Sequence, residues 1–381
     1  MLSRRDTRNP EGGGSEVYLE TIAKGLVQRG HEVTLFCAAH ERGAATEDLD
    51  GVSIIRAGSK TGVHKEALAR LRRRDFGPVD VIVDVQNGMP FLAPLVARST
   101  PTVVLVHHIH REQWPVVYGP VRARIGWWIE SRIAPKVYRK CRYVAVSSDT
   151  RNELIELGVD PQRITVIHNG AADGQSAMAN IGNLEPIDPQ LYELTSPYPQ
   201  PHIVVLGRLV PHKQVEHVLT AAAQLRKEFA GLHVSVVGDG WWHDELVATA
   251  DRLGVNDIVE FTGFVTEADK HAILSRAWIL AMPSLKEGWG IVIIEAARHS
   301  VAAVGYRTAG GVAESIVDGS TGMLVNGGSE QFTDALRSML TNEVLRKELG
   351  ENARVHSMKY TWTEAENQFE QVLLETIASR S

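Results

Sequence analysis

The segment Ser284-Leu285-Lys286-Glu287-Gly288-Trp289-Gly290-Ile291-Val292-Ile293-Ile294-Glu295-Ala296-Ala297 carries the sharpest chemical signal in the chain. A strand ends at Met282-Pro283, a loop presents Glu287, and an apolar helix then carries Glu295. A carboxylate in the first turns of an otherwise apolar helix is costly to bury without a partner. Two sugar hydroxyls would be such partners. Gly288 and Gly290 clear space for a ligand, and the helix dipole favours anions at that end. A solvent-facing Glu295 sits poorly beside Ile291-Val292-Ile293-Ile294.

A second signal is Gly207-Arg208-Leu209-Val210-Pro211-His212-Lys213, which follows an apolar strand. Arg208 and Lys213 together could neutralise a diphosphate, the Arg as a fork and the Lys as a point charge. Two surface cations are the plain alternative. Glu11-Gly12-Gly13-Gly14-Ser15-Glu16 opens a helix, so close backbone approach and unpaired N–H groups suit an anion. It is not G-x-G-x-x-G, and a bare glycine turn is the alternative. The run His107-His108-Ile109-His110 suggests a metal, but no Cys or Glu stands at matching spacing, so none is expected. Glu112 is a nearby carboxylate without a clear role. Asp48-Leu49-Asp50 reads as a solvated turn in a polar loop before a strand.

These residues need elements that hold them. Strand-like runs at 31–37, 79–85, 102–106, 143–146 and 164–167 alternate with helical segments, the first being Ser15 to Arg29. Residues 171–201, rich in Ala, Pro, Gly and Asn, read as a linker. The alternation restarts at 202–207 and continues through 232–237, 258–261, 279–282, 301–304 and 323–325. Helical segments near 330–340, 343–358 and 362–378 close the chain. Continuous β-branched strands between helices imply parallel sheets covered on both faces. The expected fold is α/β, with two doubly wound domains facing a central cleft where post-strand loops bind ligands. The domains are expected at 1–185 and 186–360, with 361–381 as a helix returning to the first. Only a short stretch precedes the first glycine loop, so the first strand is expected to be truncated and to leave a gap in its sheet.

The chain has 381 residues with 44% hydrophobic and 23% charged side chains, a globular composition of sufficient length for two cores. Two cysteines, Cys37 and Cys141, exclude a disulfide scaffold and favour a reducing compartment. No apolar run is long enough to span a bilayer, and the start lacks a signal peptide's apolar middle. A cytoplasmic location is expected. The net charge of −6 divides unevenly: residues 1–185 sum to +3, and residues 65–142 alone to +8. Such a surface could attract anionic lipid or a phosphorylated substrate, or be only a solvated helix face. Within it, Val121 to Arg142 mixes cations with Trp127, Trp128 and Ile133. That pattern fits a membrane-surface helix as well as it fits aromatics packed in a core.

The motifs resemble those of retaining GT-B glycosyltransferases of family 4, which include sucrose synthases and phosphatidylinositol mannosyltransferases. Glu287 to Glu295 is similar to that family's E-x(7)-E motif, and GRLVPHK to its diphosphate loop. The resemblance spans nearly the whole chain. It implies that Glu295 binds the donor ribose and Glu287 the hydroxyls of the transferred sugar. It also implies that Arg208 and Lys213 hold the donor diphosphate, aided by Gly288 and by backbone N–H groups of Gly290 and Ile291. Phe264 and Val265 fall where the family's backbone reads the base. Gly13 and Gly14 fall in its first-domain loop near the donor phosphates and acceptor, and His107 matches its catalytic-site histidine, with His108 and His110 as close rivals.

The implied activity is transfer of a sugar from a nucleotide-sugar donor, GDP-mannose or a UDP-sugar. The acceptor would be a hydroxyl of a lipid, a glycan or a small molecule. Front-face transfer is expected, with catalysis resting on His107, Arg208, Lys213 and Glu287. No cofactor or essential divalent metal is implied. Relatives acting on lipids carry comparable basic patches, which implies a peripheral place on the inner face of the cell membrane. A non-catalytic nucleotide-sugar-binding protein and a GT-B epimerase share the fold, as does a phosphorylase, for which no pyridoxal lysine site is evident. A nucleic-acid partner is disfavoured by the pI of about 6.2.

Overall fold

β-Branched runs flanked by glycine and polar turns form the strands, and the central ones, such as Ile82–Gln86, Thr102–Val106 and His202–Leu206, are buried on both faces. The computed structural model describes residues 1–171 and 200–379. It divides into two units, Met1–Asn169 with Trp362–Ser381, and Gly170–Thr361. The boundary expected at 185 and 186, and most of the linker, lie outside the described residues.

The first unit holds β1 (Thr34–Cys37), β2 (Thr46–Leu49), β3 (Val52–Arg56), β4 (Ile82–Gln86), β5 (Thr102–Val106), β6 (Arg142–Ala145) and β7 (Ile164–Val166). They form the orders β1-β3-β2 and β4-β5-β6-β7. The gap expected between them is closed. Leu2 makes parallel bridges to both Phe36 of β1 and Asp84 of β4. Its N–H donates to the Val83 carbonyl at 2.7 Å, and its carbonyl accepts from the Val85 N–H at 3.0 Å. A stretch of three residues suffices because each of its edges makes two ladder bonds, with Phe36 on one side and with Val83 and Val85 on the other. A second expectation is also corrected. Asp48 and Leu49 belong to an antiparallel edge strand, β2, turned into β3 by Asp50 and Gly51 at φ 55° and 86°. Two successive positive φ values make the tight turn that suits a two-residue hairpin.

The loop after Leu2 is anchored by burial of charge. Asp6 is buried and accepts from the Arg56 Nε at 2.6 Å, and His40 Nε2 lies 2.9 Å away. The helix Gly14–Gln28 follows, and the C-terminal helix Trp362–Ala378 lies along it. Arg29 and Glu366 pair at 3.0 Å there, and the Tyr18 and Phe369 rings meet edge to face.

The second unit holds β8 (His202–Leu206), β9 (His233–Val237), β10 (Val259–Gly263), β11 (Ile279–Met282), β12 (Ala303–Tyr306) and β13 (Gly322–Val325). All pairs are parallel, in the order β10-β9-β8-β11-β12-β13. That is the doubly wound order in which the chain reverses direction across the sheet between β8 and β11. Ligands of such sheets bind outside the carboxyl ends of the strands at that reversal.

Candidate functional site

The two strongest sequence signals meet at this reversal. The loop after β8 carries Arg208 and, in a short 3₁₀ turn Pro211–Lys213, Lys213. The loop after β11 carries Glu287. The Leu285 N–H donates to the His212 carbonyl at 2.8 Å, which ties the loops together. Lys213 Nζ donates to Glu287 Oε1. Burial pushes the Glu287 carboxyl up, but Lys213, the Ser284 hydroxyl and the nearby His212 outweigh it and hold it below the ordinary range. Glu287 is also fixed through its backbone: its N–H donates to the Ala309 carbonyl and its carbonyl accepts from Gly311, both at 3.0 Å. The pair is therefore a charged, mostly enclosed unit that can meet an anion with the ammonium and hydroxyls with the carboxylate.

Gly290 caps the helix Ile291–Arg298 with φ at 80°, a left-handed conformation that glycine adopts without strain. Glu295, on that helix, is buried, as its apolar neighbours imply. Within the protein its carboxylate meets a cation. Lys270, from the helix Glu267–Arg276, reaches Glu295 Oε1 at 2.8 Å and Glu267 at 2.6 Å. Burial disfavours the Lys270 charge, yet the two carboxylates hold the ammonium above its ordinary range. Nothing in local spacing marks Lys270, because 25 residues of chain separate it from Glu295.

The loops after β8, β9 and β10 are fastened side by side. The Gly207 N–H donates to Val237 at 3.0 Å, Leu209 to Asp239 at 2.9 Å, and Gly238 to Gly263 at 2.8 Å. A Cβ on Gly238 or Gly240 would lie 2.1 Å from the carbonyl oxygen of Gly207 or Leu209, so neither position accepts a side chain without backbone displacement. Sequence reasoning passed over Gly238-Asp239-Gly240; the strand-then-Gly-x-Gly pattern was its available signal. Phe264 follows β10 and is 83% exposed, with Val265 half-buried beside it.

The first unit has its own cluster after Leu2, β4 and β5. Gly13 precedes the helix Gly14–Gln28, and Gly14 is exposed. Glu16 already occupies part of that helix terminus: it accepts from the Gly13 N–H at 2.8 Å, the Ser15 hydroxyl at 2.8 Å and Arg5 Nε at 3.1 Å. His107 follows β5 and is buried, edge-on to Tyr18 with ring centroids 5.5 Å apart. Burial depresses its imidazole to about 4, so it is neutral at pH 7. Its Nε2 makes no hydrogen bond among the described residues. Glu112 is exposed. The carboxylate that meets the histidine run is Glu130, which sequence reasoning had absorbed into the basic helix.

Residues 12–173 match Glycosyltransferase Family 4 and residues 191–356 match Glycosyl transferases group 1. The chain belongs to the family 4, group 1 glycosyltransferases. It is 28% identical to a D-inositol 3-phosphate glycosyltransferase of Nocardia farcinica, over 92% of this chain and 82% of that one. It is also 28% identical to a GDP-mannose-dependent α-(1-6)-phosphatidylinositol monomannoside mannosyltransferase of Mycolicibacterium smegmatis, over 87% of each. Among solved structures, sucrose-phosphate synthase from Thermosynechococcus elongatus superposes with a TM-score of 0.80 at 16% identity, covering 99% of this chain and 98% of that one. HepE from Anabaena, solved in complex with UDP, gives 0.70 at 20% identity and 98% coverage of each. The fold of this glycosyltransferase is accordingly GT-B.

Proposed function

We propose that this glycosyltransferase moves a hexose from a nucleotide-diphosphate sugar to an acceptor hydroxyl with retention at the anomeric carbon. The observation that carries this reading is the Lys213–Glu287 pair at the sheet reversal, with Arg208 in the same loop. Lys213 and Arg208 would take the diphosphate, Glu287 the hydroxyls of the transferred sugar, and Glu295 the ribose. Backbone beside Phe264 and Val265 would meet the base, and Gly288, Gly290 and Ile291 would leave room and offer N–H groups. In front-face transfer the bond from the anomeric carbon to the diphosphate oxygen breaks as the acceptor oxygen bonds on the same face. The acceptor proton passes to the departing phosphate oxygen, so no protein base is required. His107 and the loop of Gly13 and Gly14 would serve the acceptor side.

The mannosyltransferase relative favours GDP-mannose, whereas the HepE complex favours a uridine donor. A thermal-shift panel of nucleoside diphosphates and their sugars discriminates between them. At about 100 times its Kd, the true donor should add roughly 2.7 kcal/mol of stability. The shift is expected to vanish in Glu295→Ala. Absence of a shift with every nucleotide would overturn the donor site.

The first unit also supports a peripheral membrane role. Val121, Ile125 and Trp128 are 69%, 52% and 56% exposed and fall on one face of the helix Pro120–Trp128. Arg122, Arg124 and Arg132 are exposed around them. Apolar side chains ringed by guanidinium groups suit a bilayer of anionic lipid. No described helix is long and apolar enough to cross one. Trp127, by contrast, packs inward with Arg111 over its ring at 4.9 Å. Vesicles containing phosphatidylglycerol should sediment the protein, and Trp128→Ala should weaken this about tenfold or more, given the value of one buried aromatic. Equal sedimentation with pure phosphatidylcholine, or no effect of Trp128→Ala, would refute this surface.

A further inference from the structure

We propose that Glu130 and His110 are positioning residues, which set the direction of a hydrogen-bond relay through Asn87 to Ser15 and so hold the glycine loop in place. This rests on the reading that the glycine loop serves the transfer reaction. Glu130 is fully buried in a π turn, Ile129–Ile133, that interrupts the helical stretch beginning at Pro120. Such turns displace a side chain from the regular helical register and recur at functional sites. Glu130 Oε2 accepts from Trp114 Nε1 at 2.7 Å, and both oxygens lie 3.3 Å from the His110 N–H. Gln86 donates as well. His110 Nδ1 lies 3.2 Å from Glu130 Oε1, and its Nε2 lies 3.0 Å from Asn87 Oδ1. Asn87 Nδ2 then donates to Ser15 Oγ at 3.1 Å, across the point where the first sheet reverses between Leu2 and β4.

The directions follow from donor and acceptor chemistry. Ser15 gives its only hydroxyl proton to Glu16, so it must accept from Asn87. Asn87 therefore turns its carbonyl to His110, and His110 Nε2 must carry a proton. A second proton must lie between His110 Nδ1 and Glu130 Oε1, since a bare lone pair would otherwise face a carboxylate. The Glu130–His110 pair is thus net neutral in this arrangement. Loss of that second proton leaves one proton for two ring nitrogens. It moves to Nδ1, facing Glu130, and Asn87 must flip. Ser15 then donates to Asn87 rather than to Glu16, and the helix terminus loses one hydrogen bond.

Burial raises the Glu130 carboxyl to about 7, which places the change near neutral pH. The ionisable groups that surround the relay are His107 and His108 in the same loop, Arg111 beyond them, and Glu16 on the first helix. His108 stacks on His110 with centroids 4.1 Å apart and is held by Gln113 at 2.9 Å.

The test needs neither donor nor acceptor. Amide exchange of residues 12–16 in the full chain is followed from about pH 6 to about pH 8.5, corrected for intrinsic rates. In the wild type, protection should fall by about tenfold across that range, as expected for loss of one hydrogen bond to a charged group. Glu130→Gln mimics the protonated acid, its amide donating to Nδ1 and its carbonyl accepting from Trp114. It should keep full protection at every pH. Ser15→Ala should show low protection with no pH dependence, and decides the matter alone if the buried variant fails to fold. Wild-type protection that is flat with pH would overturn the relay, as would variants that track the wild-type curve. Failure of the transfer reading itself would leave these exchange curves unchanged.

Discussion

Replacing Lys213 with alanine is expected to lower the turnover number for sugar transfer by about two to three orders of magnitude, or roughly 3–4 kcal/mol of transition-state stabilisation. As the diphosphate departs, charge accumulates on its oxygens, and a fixed ammonium there contributes more to the transition state than to the bound donor. The structure adds a complication, because Lys213 is also the counter-charge of Glu287. Removing it leaves a mostly buried carboxylate without its ammonium, which raises that carboxyl and would disturb the hydrogen bonds to sugar hydroxyls proposed for it. The two effects separate in a double substitution. Lys213→Met with Glu287→Gln restores electrical neutrality and should recover much of any lost thermal stability. It should not recover transfer. Transfer restored by the double substitution would mean that the lysine acts only by holding Glu287, and the diphosphate role would pass to Arg208.

Where a candidate for the chemistry stands immediately after a strand, the sequence makes it visible. Arg208, Lys213 and Glu287 follow apolar runs that cannot be anything but buried strands, and a doubly wound sheet gathers such loops at one edge. Contacts across helix faces are not visible in this way. Lys270 reads as one cation in a polar helix until the sheet places that helix against Ile291–Arg298. The edge strand Thr46–Leu49 is polar because one side of it has no neighbour, so its composition resembles a loop. Glu130 is hidden for a different reason. In the run of residues 121–142 its charge looks like one more solvated group among arginines. Only the π turn and the indole of Trp114 put it inside. A buried acid that breaks an otherwise solvated pattern is thus the kind of residue that sequence reasoning misplaces most readily.

Glu130 should also dominate one part of the pH dependence of stability. Its carboxyl is raised from 4.5 in the unfolded chain to about 7 in the fold, by burial that outweighs the hydrogen bonds from Trp114, His110 and Gln86. Below pH 4.5 both states hold the proton, and the stabilisation is fully present. Between about 4.5 and 7 the unfolded chain releases it while the native state retains it, so stability falls as pH rises. Two and a half units correspond to about 3 kcal/mol, lost by the time the pH passes 7. The wild-type profile alone will not display this. Burial depresses His107, His202 and His299 to about 4 each, and each contributes the opposite slope, adding stability as pH rises from about 4 to 6.5. The difference between wild type and Glu130→Gln cancels those histidines. Denaturant titrations should therefore show the variant gaining on the wild type as pH increases, with most of the gain between about pH 5 and 7 and a plateau near 3 kcal/mol above it. A difference that stays constant with pH would mean that Glu130 does not change its protonation on unfolding. A variant that weakens relative to the wild type at pH 8 would mean that an ionised Glu130 beside a charged His110 is what the fold requires, and the loss of the second proton near neutral pH would have to be abandoned.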